Sequence, residues 1–221
     1  NHLKSSNTTF IDKELEEKTK SFNSFKSYNS FFKSHEILID QEKRKSFISN
    51  EIVKLSNKKK IKINLKKELL DEIANIVEKP RILFCEFDKK YLMVPKEILI
   101  ITMQKHQKYL PVFDNKGNLI NNFIVIADKK DPKGFVKLGN ERVIEARLND
   151  AEFFWKKNRS QNLVKQVSKL KNINYFKGLG TYFDKVQRIR KLCGIISDEI
   201  LISKEKIEIA SSICKVDLMS D

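Results

Sequence analysis

The side chains best suited to bond-making are few and scattered. Histidine occurs as His2, His35 and His106, and cysteine as Cys85, Cys193 and Cys214. A thiol beside an imidazole can act as a nucleophile, and Cys85 with His106 is the one pairing that invites the thought. Cys85, however, sits in RILFCEF, an alternating apolar run in which cysteine serves as a small buried hydrophobe. Adjacent His-Asp, HExxH and paired Cys/His spacings are all missing from the sequence. GLGTYF offers Gly178 and Gly180, but Phe183 stands where a dinucleotide fingerprint needs its third glycine, and no GxxxxGK[ST] occurs. The two glycines instead suit a sharp entry into a helix, with Thr181 and Asp184 forming a variant capping box.

What remains is chemistry of recognition. Lys105, His106, Gln107, Lys108 and Tyr109 crowd amide, imidazole, ammonium and phenol into little more than one turn. Two roles stay open for them. They can form the polar C-terminal end of an ordinary helix, where cations suit the macrodipole. Alternatively they line a pocket or touch RNA. Arg142 borders a solvated helix face and is placed to reach a phosphate or another subunit. Arg147, on a mixed polar and apolar row, is expected to pair with Asp150 three residues on, half buried. Arg188, Arg190 and Lys191 form either a solvated face or a track for phosphates. Of Phe153, Phe154 and Trp155, the tryptophan is expected in the core; an exposed neighbour would point to subunit contact.

The elements that carry these residues read from periodicity. HEILID (35–40) is expected as a strand, followed by a helix with Ile48, Ile52 and Leu55 inward. A second helix should bury Leu65, Leu69, Ile73, Ile76 and Val77 and close at Pro80. RILFCEF and YLMVP are expected as two strands around a tight turn, with Pro95 at the first position of the next helix. That helix should end before Pro111, and Asp114-Asn115-Lys116-Gly117 marks a hairpin turn. A long helix follows with Ile144, Leu148, Ala151 and Trp155 as its stripe. QNLVKQVSKL is expected as a short helix and INYF as a short strand. The capped helix after it should turn Phe183, Val186, Ile189 and Ile196 inward. Residues 1–35 give no clear period.

Composition narrows the class. Hydrophobic residues make up 40% of the 221, enough for a real core. Lys and Arg number 44 against 29 Asp and Glu, a net charge of +15 that favours a polyanionic partner. A lysine-rich proteome with AT-biased codons is the alternative source of that charge. Three widely spaced cysteines argue against a disulfide framework and for a reducing cytoplasm. No apolar run reaches the ~18 residues of a membrane span. The chain starts without Met and its last helical pattern runs to the final residues, so a piece of a longer polypeptide is expected.

Three blocks say more. VPKEILIITMQKHQKYLPVFDNKGNLINNFIVIAD, GNERVIEARLNDAEFFWKKN and KGLGTYFDKVQRIRKL match in spacing and order across residues 77–192. They resemble the LPxEVLxxTMxxHQKYFPVxDxxGxLxxxFIxVxN, GNERVLxARLxDAxFFxxxD and xxLGTxxDKxxRIxxL blocks of the bacterial glycine–tRNA ligase beta subunit family. ASSICKVDL is similar to that family's AAxLxKADL, whereas at the start His2 fits an HRF pattern with Leu3 in place of arginine. The resemblance implies an α2β2 class II ligase in which the alpha subunit holds the adenylate-forming site, with ATP and Mg, and the beta subunit binds tRNA. It implies an α+β fold: a mixed domain over 1–178 similar to the editing module of the phenylalanyl-tRNA synthetase beta subunit, then the start of an all-helical HD-like domain over 179–221. No catalytic residue, metal ligand or cofactor is expected within this stretch, and no metal role carries over to Asp217. An editing hydrolase for mischarged tRNA and a purely structural subunit scaffold are the alternatives.

Overall fold

A computed structural model describes residues 6–10, 19–200 and 203–220. The chain is a mixed α+β structure with antiparallel pairing throughout its described strands. Its first elements are β1 (Thr8–Phe10) and β2 (Thr19–Ser21), a two-stranded ribbon, and α1 (Phe25–Ser34). Then come α2 (Gln41–Lys59), β3 (Lys62–Ile63), α3 (Lys67–Ile76) and β4 (Arg81–Glu86). A 3₁₀ helix (Lys89–Met93) leads to α4 (Lys96–Gln107), β5 (Leu110–Phe113), β6 (Leu119–Ala127) and α5 (Phe135–Ser160). The rest is a 3₁₀ segment (Leu163–Asn172), β7 (Asn174–Phe176), β8 (Gly180–Thr181), α6 (Tyr182–Glu199), α7 (Lys204–Ile213) and a last 3₁₀ turn (Val216–Met219).

The main sheet runs β3-β5-β6-β4. Alternation along β6 assigns its two faces. Ile120, Ile124 and Ile126 join Ile82 and Phe84 of β4 and Leu110 and Val112 of β5. Against them pack Ile48 and Ile52 of α2 and Ile73 and Ala74 of α3. Phe123 and Cys85, opposite each other in register, take the other face, where the rings of Tyr109 and Phe87 lie 5.0 and 6.4 Å from that of Phe123. The β5–β6 connection is the hairpin that the sequence announces. The Asp114 carboxylate accepts the Lys116 and Asn118 backbone N–H groups at 2.9 and 2.8 Å, and Gly117 takes φ 89°.

Several expectations fail locally. HEILID is not a strand: Glu36 adopts φ 63°, and Arg44 donates to the Leu38 and Ile39 carbonyls at 2.5 and 2.7 Å. A guanidinium thus does what a neighbouring strand would do for those acceptors. YLMVP is likewise not a strand. Asp88 caps the Lys90 N–H, the chain tightens into a 3₁₀ turn, and Tyr91 goes inside; β4 pairs with β6 instead. Ile76 is 65% exposed, because α3 ends there and Val77, already extended, takes the buried place. Pro95 is the N-cap of α4, one position earlier than expected. QNLVKQVSKL does form a short helix, of the 3₁₀ kind. On α6, Ile196 is 52% exposed and Ser197 is buried, its hydroxyl donating to the Gly194 carbonyl at 2.7 Å. α6 packs with the adjoining α7, on which Ser211 is likewise buried.

The chain divides into two compact units, one ending at Asn149 and the other beginning at Asp150, within α5. From the sequence a domain boundary is expected after residue 178. The Leu163–Asn172 segment and β7 pack with α6, which groups them with the helices that follow.

Candidate nucleic-acid interface

The HQKY stretch ends α4. Lys108 takes the left-handed conformation (φ 57°), its N–H bonded to the Gln104 carbonyl, and the Tyr109 N–H bonds to that of Met103 at 3.1 Å. Lys105 is exposed, Gln107 is half-buried, and Lys108 forms an ion pair with Glu72 of α3. The side chain of His106 lies outside the described residues, as does His2. Tyr109 is buried and donates its hydroxyl to Asn140 Oδ1 at 2.6 Å, while Asn140 Nδ2 donates to the Val136 carbonyl at 2.7 Å. The next residue, Glu141, accepts the Glu86 backbone N–H at 2.8 Å. HQKY and GNER, 31 residues apart at this contact, therefore meet as a clamp between α5 and the sheet.

That clamp holds its protons tightly. Burial pushes the Tyr109 phenol up to about 12, and burial, aided by the negative charge of Glu141, pushes the Cys85 thiol up to about 12. A thiol held there is not a nucleophile near neutral pH, since the thiolate is the reactive form. Among the described residues, no group of three His, Cys, Asp or Glu could hold a metal ion. No helix among them is long and apolar enough to cross a membrane.

On α5, Arg142, Arg147 and Asp150 are all exposed. The half-buried Arg147–Asp150 pair is not built, because both side chains are exposed and no ion pair joins them. Phe153 and Phe154 are exposed and meet edge to face at 5.4 Å; Trp155 is half-buried with the Arg159 guanidinium 5.1 Å from its ring.

In the second unit the glycine loop links β7 to β8. Gly178 and Gly180 take φ 78° and 77°, and Thr181 caps α6. The Asp184 carboxylate accepts both the Thr181 N–H and its hydroxyl at 2.8 Å, and these bonds hold its pKa below the usual carboxylate range. The three basic residues singled out on α6 separate. Arg188 donates to the Leu179 carbonyl at 3.1 Å, towards the ribbon that β7 and β8 form. Arg190 pairs with Glu208 of α7 and Gln187, and Lys191 borders the groove between α6 and α7. Sequence reasoning missed Lys185, whose ammonium lies 3.8 Å from the Tyr175 ring centroid, and Lys171, 4.8 Å from that of Phe183. Lysines interleaved with aromatics between Lys169 and Lys185 were the available signal.

The family described as glycyl-tRNA synthetase beta subunit matches residues 1–221. The chain belongs to this family. Among curated members, the glycine–tRNA ligase beta subunit of Syntrophomonas wolfei subsp. wolfei is 36% identical over all of this chain and 32% of its own length. That of Dictyoglomus thermophilum is 40% identical over 87% of this chain and 28% of its own. That of Clostridioides difficile is 35% identical over 98% of this chain and 32% of its own. The chain thus spans under a third of the length of these members of the glycyl-tRNA synthetase beta subunit family.

Proposed function

We propose that this chain is the tRNA-gripping and assembly part of a beta subunit in an α2β2 class II glycine–tRNA ligase. Joining glycine to tRNA with ATP and Mg then falls to the alpha subunit, and the stretch described here contributes no bond-making group. The family match along the whole chain carries the reading. The lack of an activated nucleophile at Cys85 agrees with it. So does the charge: from Lys165 to Lys191 eight Lys and Arg stand against one acid, Asp184, whereas from Leu192 to Asp221 three stand against six. Codon bias alone predicts an even spread. In this reading the first unit is the counterpart of the phenylalanyl synthetase editing module, α6 opens an HD-like helical region, and the complex works in the cytoplasm. The exposed Phe153–Phe154 pair is then a subunit contact.

The test separates the two polypeptides. The purified beta chain alone should form no glycyl-adenylate from glycine and ATP, and adding the alpha subunit should restore glycyl-tRNA formation. Activation of glycine by the beta chain unaided would overturn the division of labour.

A further inference from the structure

From the ribbon and the first turns of α6 we infer that Lys171, Lys177, Lys185 and Arg188 form a contact for the sugar-phosphate backbone of an RNA, with the exposed Phe176 ring beside it. The inference rests on the RNA-gripping reading above and assigns it a surface.

The argument begins with partners. Among the described residues, none of these four cations has a carboxylate within 4 Å. Lys185 and Lys171 lie instead against the Tyr175 and Phe183 rings, and Tyr175 and Tyr182 meet edge to face at 5.3 Å. Arg188 rests on a backbone carbonyl. A cation on a ring face keeps its charge and part of its hydration, so it remains available to a phosphate. The field at this spot is positive enough to lower the Tyr175 phenol, chiefly through Lys185, with Arg188 and Lys215 adding to it. The one carboxylate nearby, Asp184, is occupied by Thr181.

The local backbone keeps the surface open. Gly178 has nothing within 4 Å of where a Cβ would stand; Lys177 and the half-exposed Leu179 flank it, and Phe176 is 68% exposed. Unpaired cations interleaved with rings, of which Phe176 is the exposed one, are the pattern that tracks a nucleic-acid strand, charge on the backbone and a ring available to a base. A protein partner would instead favour neutralised cations, and here four stand unneutralised beside the exposed Phe176 and Leu179. Arg190, bound by Glu208, is excluded from the contact.

The test uses the full-length subunit assembled in its ligase and an unmodified glycine tRNA transcript, with binding measured across a salt series. Each lost phosphate contact should reduce the slope of log affinity against log salt by about 0.7–0.9. K185Q/R188Q and, independently, K171Q/K177Q should each reduce it by about 1.5 and weaken low-salt binding about tenfold. K66Q/K67Q, a charge-matched change on the exposed start of α3, should leave the slope as it is. Circular dichroism melts screen each variant for folding; K171Q/K177Q, both exposed, keeps the test alive if K185Q/R188Q fails to fold. Unchanged slopes in folded variants overturn the inference while leaving RNA binding intact. Unchanged slopes with loss of the copurifying alpha subunit also overturn it, in favour of a protein interface. Wild-type enzyme whose tRNA binding ignores salt removes the underlying reading itself.

Discussion

Lysine and arginine are used differently in two regions of the molecule. In the first unit, Lys45 ends on Glu42 and Asp71, Arg81 and Lys130 on Glu36, and Lys108 on Glu72, although Arg44 ends on backbone carbonyls and Lys59 on the Phe84 ring. Along the ribbon and early α6 of the second, they end on rings and carbonyls. Exposed pairs of the first kind add little stability, about 0–1 kcal/mol each, but they cancel the field they would project. Cations of the second kind leave it standing. The same net excess can therefore be spread and muted in one region and concentrated in another, and the concentrated region is where a polyanion would be held.

The largest effects should come from the first unit's core and should not touch binding. Ile124 and Leu110 are fully buried between the sheet and helices α2 and α3. Ile124→Ala or Leu110→Ala should cost about 2–5 kcal/mol in chemical denaturation. The salt slope for tRNA should stay as it is wherever the variant remains folded. A core variant that changed the slope would mean the two units are not separable in function.

Next is the clamp. Tyr109→Phe removes the donor to Asn140 and leaves its half-buried carbonyl oxygen unmatched, which should cost about 1–2 kcal/mol. The same region sets an alkaline limit. Cys85 and Tyr109 have their pKa raised from ordinary values of 9.0 and 10.0 to about 12, so folding favours their neutral forms. The stability this contributes is complete below pH 9 and is lost as pH rises towards 12. Melting temperature should fall over that window, and Cys85→Ala should flatten the fall. An equally steep fall in Cys85→Ala would move the origin of the limit elsewhere.

How much of this could be read from the sequence varies with the range of the interactions. Strong period and turn chemistry made α4, α5 and the β5–β6 hairpin legible, and the Thr181–Asp184 spacing carries its own geometry within one turn. HEILID was misread because its carbonyls are met by Arg44, whose position depends on α2 packing against α3. Ile196 is exposed and Ser197 buried because the contact of α6 with α7, a tertiary feature, decides which side of α6 is covered. In the candidate interface, the basic residues were visible but their states were not. Arg190 is matched by Glu208, 18 residues on, whereas Lys185 meets Tyr175 because the glycine loop folds the ribbon back onto α6. Neither outcome has a local signature.

The capping box offers a smaller effect that still distinguishes the units. Thr181→Ala should cost about 0.5–2 kcal/mol by removing the cap of α6. Gly180→Ala should be worse than its size suggests, since the backbone is left-handed and a Cβ would stand 2.4 Å from Asp184 Oδ2. Both changes loosen the turn that brings the ribbon cations to α6, so each should also weaken tRNA binding, unlike the core variants. The pH dependence has the opposite sign to that of the clamp. Asp184 has a depressed pKa, so its contribution is present above the ordinary carboxylate value of 3.8 and disappears as pH falls below it. An acid melt of Asp184→Asn should therefore converge with wild type at low pH and separate from it near neutrality.

The smallest expected effect is the most direct check on the paired-versus-unpaired contrast. Arg147 is exposed and lacks the Asp150 pair that the sequence suggested, so Arg147→Ala should change stability by no more than about 0.5 kcal/mol. Its charge is also unpaired, yet it has neither a ring beneath it nor neighbouring cations of the kind gathered at Tyr175. If lone charge were sufficient for RNA contact, Arg147→Ala would reduce the salt slope by about as much as Lys185→Gln. If clustering on aromatic faces is what matters, only the latter should move it. Single-variant salt titrations of those two positions, side by side, separate the hypotheses because both remove one positive charge.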